Sequence, residues 1–371
     1  MSKIYQSIRQ HLKNLPGRGV TSRVVAIECD DWGSIRMPSR AAYERLAGAG
    51  FDLDNRYDRF DTLEDATDLA ALFEVLTSVR DARGVPCVMT PLVTVANPDF
   101  EAMRHSGFRE FVFEPYPDTL NKYGRDPQVA GLWREGLEKG FFIPEYHGHS
   151  HMTVPQWWRM IIQGHRKLRK AFDQGYVAVN LADLSPEVTG FRAELFFEEP
   201  SQIPFISEAL GKGILRFREL FGRAPRLFVP TNGIFHPLFK KDLLAGGICY
   251  FYLPWKSWMP NGRGGLQKSY HFEGTHRING IACYSRNCLF EPSEQGYAGI
   301  EATLGEIAAA FRCHKPAIIS SHRVNFCGGL SPQNRGRGLS ELKKLLTAIV
   351  RRWPDVQFMG TADLLKHLFR D

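Results

Sequence analysis

Unbroken apolar runs and runs of helical period alternate along this chain. The run "RVVAIECDD" (23–31) has four consecutive apolar residues, the signature of a strand covered on both faces. "VPCVMTPLVTVANPD" (85–99), "FFIPEYHGHSH" (141–151), "RLFVPTNG" (226–233), "ICYFYLP" (248–254), "GIACYSRNCLFEP" (280–292), "PAIISSH" (316–322) and "DVQFMG" (355–360) read the same way. Between them lie helical patterns. "PSRAAYERLAGAG", "LEDATDLAALFEVLTSVRDARG" and "DPQVAGLWREGLEKG" end at glycine, a common helix stop. "SQIPFISEALGKGILRFRELFG", "PLFKKDLLAGG", "IEATLGEIAAAFRCHK", "GLSELKKLLTAIVRRWP" and "TADLLKHLF" continue the series. Residues 3–14 place Ile4, Ile8 and Leu12 four apart, which predicts a short amphipathic helix ended by "NLPGRG".

Strands that alternate with helices imply a mainly parallel sheet. About seven such units predict an α/β fold, a distorted or partly open (β/α)7-type barrel in a single domain. Residues 1–20 read as an N-terminal helix and linker, and 21–371 as the barrel. The stretch 176–200 fits no unit and reads as an insertion or lid.

Composition narrows the setting. With 43% hydrophobic and 23% charged residues over 371 positions, a folded globular chain is expected. No apolar stretch reaches the length of a transmembrane span, and the N-terminus lacks an apolar signal core. The expected location is cytoplasmic. The N-terminal helix either docks on the domain, the preferred reading, or touches a membrane peripherally. Seven cysteines without a C-x-x-C pair point to reduced thiols. The net charge of +7 reads as an ordinary balance, ahead of the alternative of an anionic substrate or a membrane surface, and "HRKLRK" (165–170) reads as a solvated helix face. No nucleic-acid-binding module is found.

In parallel α/β barrels the reactive groups gather at the C-terminal ends of strands. Three polar clusters fall at such ends: "ECDD", "HGHSH" and "SSHRVN". His147 and His151 are four apart, a spacing that puts two rings on one side of a helical turn. With a carboxylate from Asp30–Asp31 they make a common zinc donor set. His149 falls between them and is expected to point elsewhere. One Asp can bind the metal while the other acts as base; the competing reading is a helix cap or turn at "DDWGS". Glu28 shares strand parity with Asp30. It either tunes or substitutes for Asp30, or pairs with a barrel Arg or Lys, the favoured reading. His322 can serve as a general acid near neutral pH, against the alternative of a satisfied core histidine.

These residues, taken in order over 23–368, resemble the motifs of the NodB-type polysaccharide deacetylases, the family four carbohydrate esterases. The family's T-F-D-D-G is matched by E-C-D-D…G, with Trp32 inserted before Gly33. Its H-[ST]-x-x-H is matched by His147 to His151, with Gly148 second. Its R-x-P-Y-G has Val229 for the Arg, Pro230 near the proline, Asn232 for the Tyr, and Gly233. The fourth motif keeps Trp255 or Trp258 but lacks the Asp, and L-x-H becomes Ser320-Ser321-His322. The resemblance implies one divalent metal, zinc by expectation, on Asp31, His147 and His151. It implies Asp30 as base and His322 as acid. In the family an Arg–Asp pair from motifs three and four holds the base Asp. Both are missing, and Arg192, Arg286 or Arg323 are the candidate replacements, with Arg323 nearest a mapped strand end. Backbone N–H at Asn232 could serve an oxyanion. Trp32, Trp157, Trp158, Trp255 and Trp258 are candidate sugar-stacking rings, against core packing as the plainer reading. The expected activity is removal of an N- or O-acyl group from a carbohydrate or glycan conjugate. The rivals are a metal-free glycosidase, pairing Glu28 or Asp30 with Glu145 or an acid of 190–200, and a non-catalytic glycan-binding protein.

Overall fold

In the computed structural model, which describes residues 11–15, 17–125, 127–181, 190–271, 277–278 and 280–369, the first apolar run becomes strand β1 (Val24–Trp32), buried along its whole length. There follow β2 (Met89–Thr94), β3 (Ala96–Pro98), β4 (Phe113–Pro115), β5 (Glu145–Gly148), β6 (Leu227–Phe228) and β7 (Tyr250–Tyr252). Then come β8 (Lys256–Pro260), β9 (Leu266–Tyr270), β10 (Arg277–Ile278), β11 (Ile281–Tyr284), β12 (Cys288–Leu289), β13 (Ala317–His322) and β14 (Gln357–Phe358). The main sheet runs β10-β11-β7-β6-β5-β2-β1-β13-β12, with β14 also on β1. Every pairing in it is parallel except β10–β11. Its two end strands do not pair with each other, so the sheet curls into an open half-barrel rather than a closed one. This is the distorted α/β barrel that the alternating pattern predicts.

Strand periodicity sorts the side chains into two layers. Val25, Ile27 and Cys29 of β1, Met89 and Val93 of β2, and Ala317 and Ile319 of β13 pack outward in the large core under the helices. Those helices include Ala66–Ser78, Gln128–Glu138, Ile203–Phe221, Ile300–Arg312 and Pro332–Arg352. Val24 and Ala26, with Leu92, Tyr250, Tyr284 and Ile318, form a second core inside the barrel. The helix Thr361–Phe369 lends that inner core Leu364, Leu365 and Phe369. By the same alternation Glu28, Asp30, Ser320 and His322 face inward, above this apolar floor.

Local chemistry sets the helix ends. Asp65 and Asp68 form a capping box that starts Ala66–Ser78, and Gly222 in the left-handed region stops Ile203–Phe221. The "HRKLRK" helix buries Leu168 and exposes Arg166 and Lys170, while Arg169 stacks on Phe108 and donates to the Ile161 carbonyl. All seven cysteines are free thiols. Among the described residues no helix is long and apolar enough to cross a membrane. The antiparallel hairpin β8–β9 stands off the main sheet. It turns through "NGRG", where the Asn261 side chain accepts from the N–H of Arg263 and Gly265. Ile4 and Ile8 lie outside the described residues, as do 182–189 of the expected insertion. The described flanks of that insertion, 176–181 and 190–200, contain no strand.

Candidate functional site

Two neighbouring carboxylates on β1 reach one pocket because the strand bulges. The β1–β2 register shifts between Cys29 and Trp32, and Asp31 takes a positive φ of 79°. Alternation would send Asp31 outward; the bulge turns it inward beside Asp30. The residue after it, Trp32, is then delivered to the outer core. There it is 1% exposed and meets Trp133 and Phe142 edge-on, so it has no sugar-facing surface. Gly33 follows at a φ of +80°, where a Cβ would stand 2.2 Å from the Thr94 carbonyl.

The histidine cluster is built by a different device from the helical turn expected. His147 is the penultimate residue of β5, and the next helix begins only at Val154. Gly148 sits at a φ of +144°, and a Cβ there would fall 2.1 Å from Glu194 Oε2. The other oxygen of Glu194 accepts from the N–H of His149 (2.9 Å) and Ser150 (3.3 Å). This turn brings the His147 and His151 rings to 5.2 Å, while the His149 ring packs on Phe113 at 4.2 Å, away from them. Burial pushes the Glu194 carboxyl up to about 8, against the pull of those backbone donors.

Asp31, His147 and His151 present ligand atoms that all lie within 4.8 Å of one another. Asp31 Oδ1 is 3.5 Å from His147 Nε2 and 3.0 Å from His151 Nε2. Donors on one tetrahedral zinc, at bonds of about 2.0–2.1 Å, stand roughly 3.3 Å apart. The residues present therefore fit a divalent ion. His147 donates from Nδ1 to the Val229 carbonyl at 2.8 Å, which leaves Nε2 as the free lone pair. Burial, helped by Arg36, holds the His151 imidazole down at about 3, in its neutral form. Arg36 donates to Asp31 Oδ2 at 2.9 Å. Burial pushes Asp31 up, but Arg36 and the histidines outweigh it and hold the carboxyl well below the usual range.

Asp30 has its own clamp. The Arg286 guanidinium meets both Asp30 oxygens at 2.7 Å, and Arg286 Nε donates to Glu28 Oε2 at 2.5 Å. Glu28 also accepts from Tyr284 Oη at 2.8 Å. Burial raises the Asp30 carboxyl, but Arg286 outweighs it and keeps it below the ordinary value. Of the three candidate arginines, Arg286 makes this contact. Arg323 is fully buried and forks instead to Asp61, Glu64 and the Ser34 carbonyl, bracing the loop after β1. It has no exposed surface for a substrate. Arg192 pairs with Asp58 at 3.4 Å.

His322 stands beside Asp30 because β13 pairs with β1 in that register. Its Nε2 is 3.8 Å from Asp30 Oδ2, and its Nδ1 is 2.6 Å from Glu291 Oε1. Burial pulls the imidazole down, yet Glu291 outweighs it and raises it to about 9. Asn232 occupies a left-handed position (φ 54°) in the turn after β6, three residues beyond the carbonyl that holds His147. Trp157 is buried in a core beneath the loops, and Trp158 packs against it. Trp255 is 62% exposed and Trp258 39%, both at the β8–β9 hairpin. Glu145 is fully buried and bonds Arg223 and the N–H of Arg226 and Leu227, so it holds β6 in place rather than facing the pocket. Arg36 and Glu291 were not singled out by sequence, and Glu194 only as one of the acids of 190–200. "FEP" after an expected strand, and an Arg five residues past Asp31, were the local signals for the other two.

No family model matches the chain, and no curated protein matches it by sequence. Solved structures resemble it in chain path at low identity. A 4-alpha-glucanotransferase from Thermococcus litoralis is 11% identical with a TM-score of 0.44; 93% of this chain is covered, spanning 40% of that one. The Puue allantoinase is 10% identical (TM-score 0.46; 93% of this chain, 90% of that). A family 4 acetyl xylan esterase from Clostridium thermocellum, solved with a cobalt ion, is 12% identical (TM-score 0.36; 94% and 91%).

Proposed function

We propose that this chain is a metal-dependent hydrolase that removes an N- or O-acyl group from a carbohydrate or glycan conjugate. The observation that carries the reading is the convergence of Asp31, His147 and His151 within 4.8 Å, flanked on one side by Asp30 and His322. A divalent metal, zinc by donor set, would polarise the acyl carbonyl and bring the pKa of water towards about 7. Asp30, ionised and fixed by Arg286, takes the proton from water. Glu28 holds Arg286 from behind, so an Arg–carboxylate pair supports the base although it comes from other strands than in the family resembled. His322, kept protonated by Glu291, gives its proton to the leaving amine or alcohol. The backbone at Asn232 donates to the developing oxyanion. The glycosidase reading loses Glu145, which is held by Arg223 and the N–H groups of Arg226 and Leu227.

The test is acyl release from a panel of N- and O-acetylated glycans by zinc-loaded protein. Release by the wild type and its loss in Asp30→Asn and His322→Ala are expected. No release from any glycan, or undiminished release by Asp30→Asn, overturns the proposal.

A further inference from the structure

Of the seven tryptophans only Trp255 and Trp258 are exposed, and both stand at the β8–β9 hairpin. The hairpin register pairs Lys256 with Tyr270 and Trp258 with Lys268. Residues directly opposite share a face, so one outward face carries two rings and two cations in alternation. All four are exposed, Tyr270 to 57%. Trp255, just before β8, adds a third ring 5.7 Å from that of Tyr270. The Lys256 and Lys268 ammonium groups lie 5.5 and 5.6 Å from the Trp258 ring. Arg263 at the turn is a further cation, and 256–270 contain no Asp or Glu.

We propose that this face docks the protein, as a peripheral contact, on the headgroup region of an anionic lipid bilayer. The docking does not rest on the proposed function.

The residue types argue for that partner. Tryptophan and tyrosine settle at the bilayer interface, where the ring is in apolar surroundings and its N–H or O–H stays wet. Lysine lays its stem along such rings and sends its ammonium to the lipid phosphates. A stretch of cations without acids complements a negative leaflet, where each Lys or Arg is worth about five-fold in affinity. Protein–protein interfaces, by contrast, are depleted in lysine. A stacked nucleic-acid base would need the Trp258 face that the two ammonium groups already cover.

The hairpin is also held in place. Ser257, buried on its opposite face, meets His271 Nε2 at 2.9 Å. The Phe235 N–H donates to the Trp258 carbonyl at 3.3 Å, and the Gly264 N–H to the Glu198 carbonyl at 2.8 Å. The Glu198 carboxylate itself is taken by Arg159 at 2.9 Å. β8 follows the C-terminal end of β7, and Asp31, His147 and His322 lie at the same end of the parallel sheet. Docking through the hairpin therefore sets the metal-type cluster at the membrane-facing end of the barrel.

The test is flotation of the full chain with vesicles of phosphatidylcholine alone or with about 30% phosphatidylglycerol, at about 0.1 and 0.5 M salt. Binding to the anionic vesicles is expected to exceed that to the neutral ones about ten-fold or more, and to fall at high salt. The double variant Lys256→Gln with Lys268→Gln should lose about 25-fold in affinity. Trp255→Ser with Trp258→Ser should lose about ten-fold or more. Unfolding midpoint and metal content should stay unchanged in both. Ile4→Ser with Ile8→Ser, in the N-terminal segment, should keep the preference for anionic vesicles. No binding to anionic vesicles, equal binding to both lipids, or binding undiminished in either hairpin variant overturns the docking. So does a dimer in sedimentation equilibrium that the tryptophan variant dissolves, or tighter binding to a single-stranded oligonucleotide than to anionic vesicles. Vesicle binding without acyl release keeps the docking and removes the hydrolase. Acyl release without vesicle binding does the reverse.

Discussion

Replacing Arg286 with Met strands two carboxylates in the barrel. Glu28 is fully buried and Asp30 is 6% exposed, and Arg286 is the cation between them. Removing one partner of such a buried pair costs about 3–5 kcal/mol, because an uncompensated charge is left behind. The sign of the pH dependence follows from the two states. In the native protein the Asp30 carboxyl lies below its ordinary value, so it contributes stability at neutral pH that is lost as pH falls through its folded pKa. Without Arg286, burial is opposed at Asp30 only by His147 and His322 and at Glu28 only by the Tyr284 hydroxyl, and both carboxyls are expected to move up. The penalty is then full above those raised values and fades as the acids take up protons. Chemical unfolding should therefore show the whole loss at pH 8 and much less at pH 5. The acid limb of kcat/KM should move up with the pKa of the stranded base. Adding Glu28→Leu should recover part of the stability. A variant within about 0.5 kcal/mol of wild type, or a penalty equal at both pH values, would refute the clamp.

Other expectations are more local. Glu291→Gln removes the carboxylate that raises His322 to about 9; the alkaline limb of kcat/KM should fall from there towards the ordinary histidine value near 6.5, with metal content unchanged. Trp32→Ala empties a site between Trp133 and Phe142; it should lose about 3–5 kcal/mol of stability in thermal or chemical unfolding. Trp255→Ala, at a residue 62% exposed, should stay within about 0.5 kcal/mol of wild type.

The alternation of strands and helices, and the three polar clusters at strand ends, were legible because hydrophobic period and strand polarity are local properties. Asp30 and His322 fall side by side because β1 and β13 are neighbours, an adjacency that the sequence reading did not derive. The identity of the clamp was not legible. Arg286 meets Asp30 across 256 residues of chain, and nothing local separates it from Arg192 or Arg323. Trp32, offered as a sugar-stacking ring against core packing as the plainer reading, takes the packing role: a bulge absorbs the inserted residue and drops the ring into the core. The histidine pair had the right spacing but the wrong local explanation: Gly148 and Glu194, not a helical turn, bring the rings together. Glu145, a strand-end acid in sequence, turned out to hold β6 through backbone N–H groups that no pattern reveals.

The most direct measurement is the metal content of protein purified without added metals. The account predicts about one divalent ion per chain, lost in Asp31→Ala and in His151→Ala but retained in His149→Ala, whose ring faces Phe113. Full metal binding by both the Asp31→Ala and His151→Ala variants would contradict it.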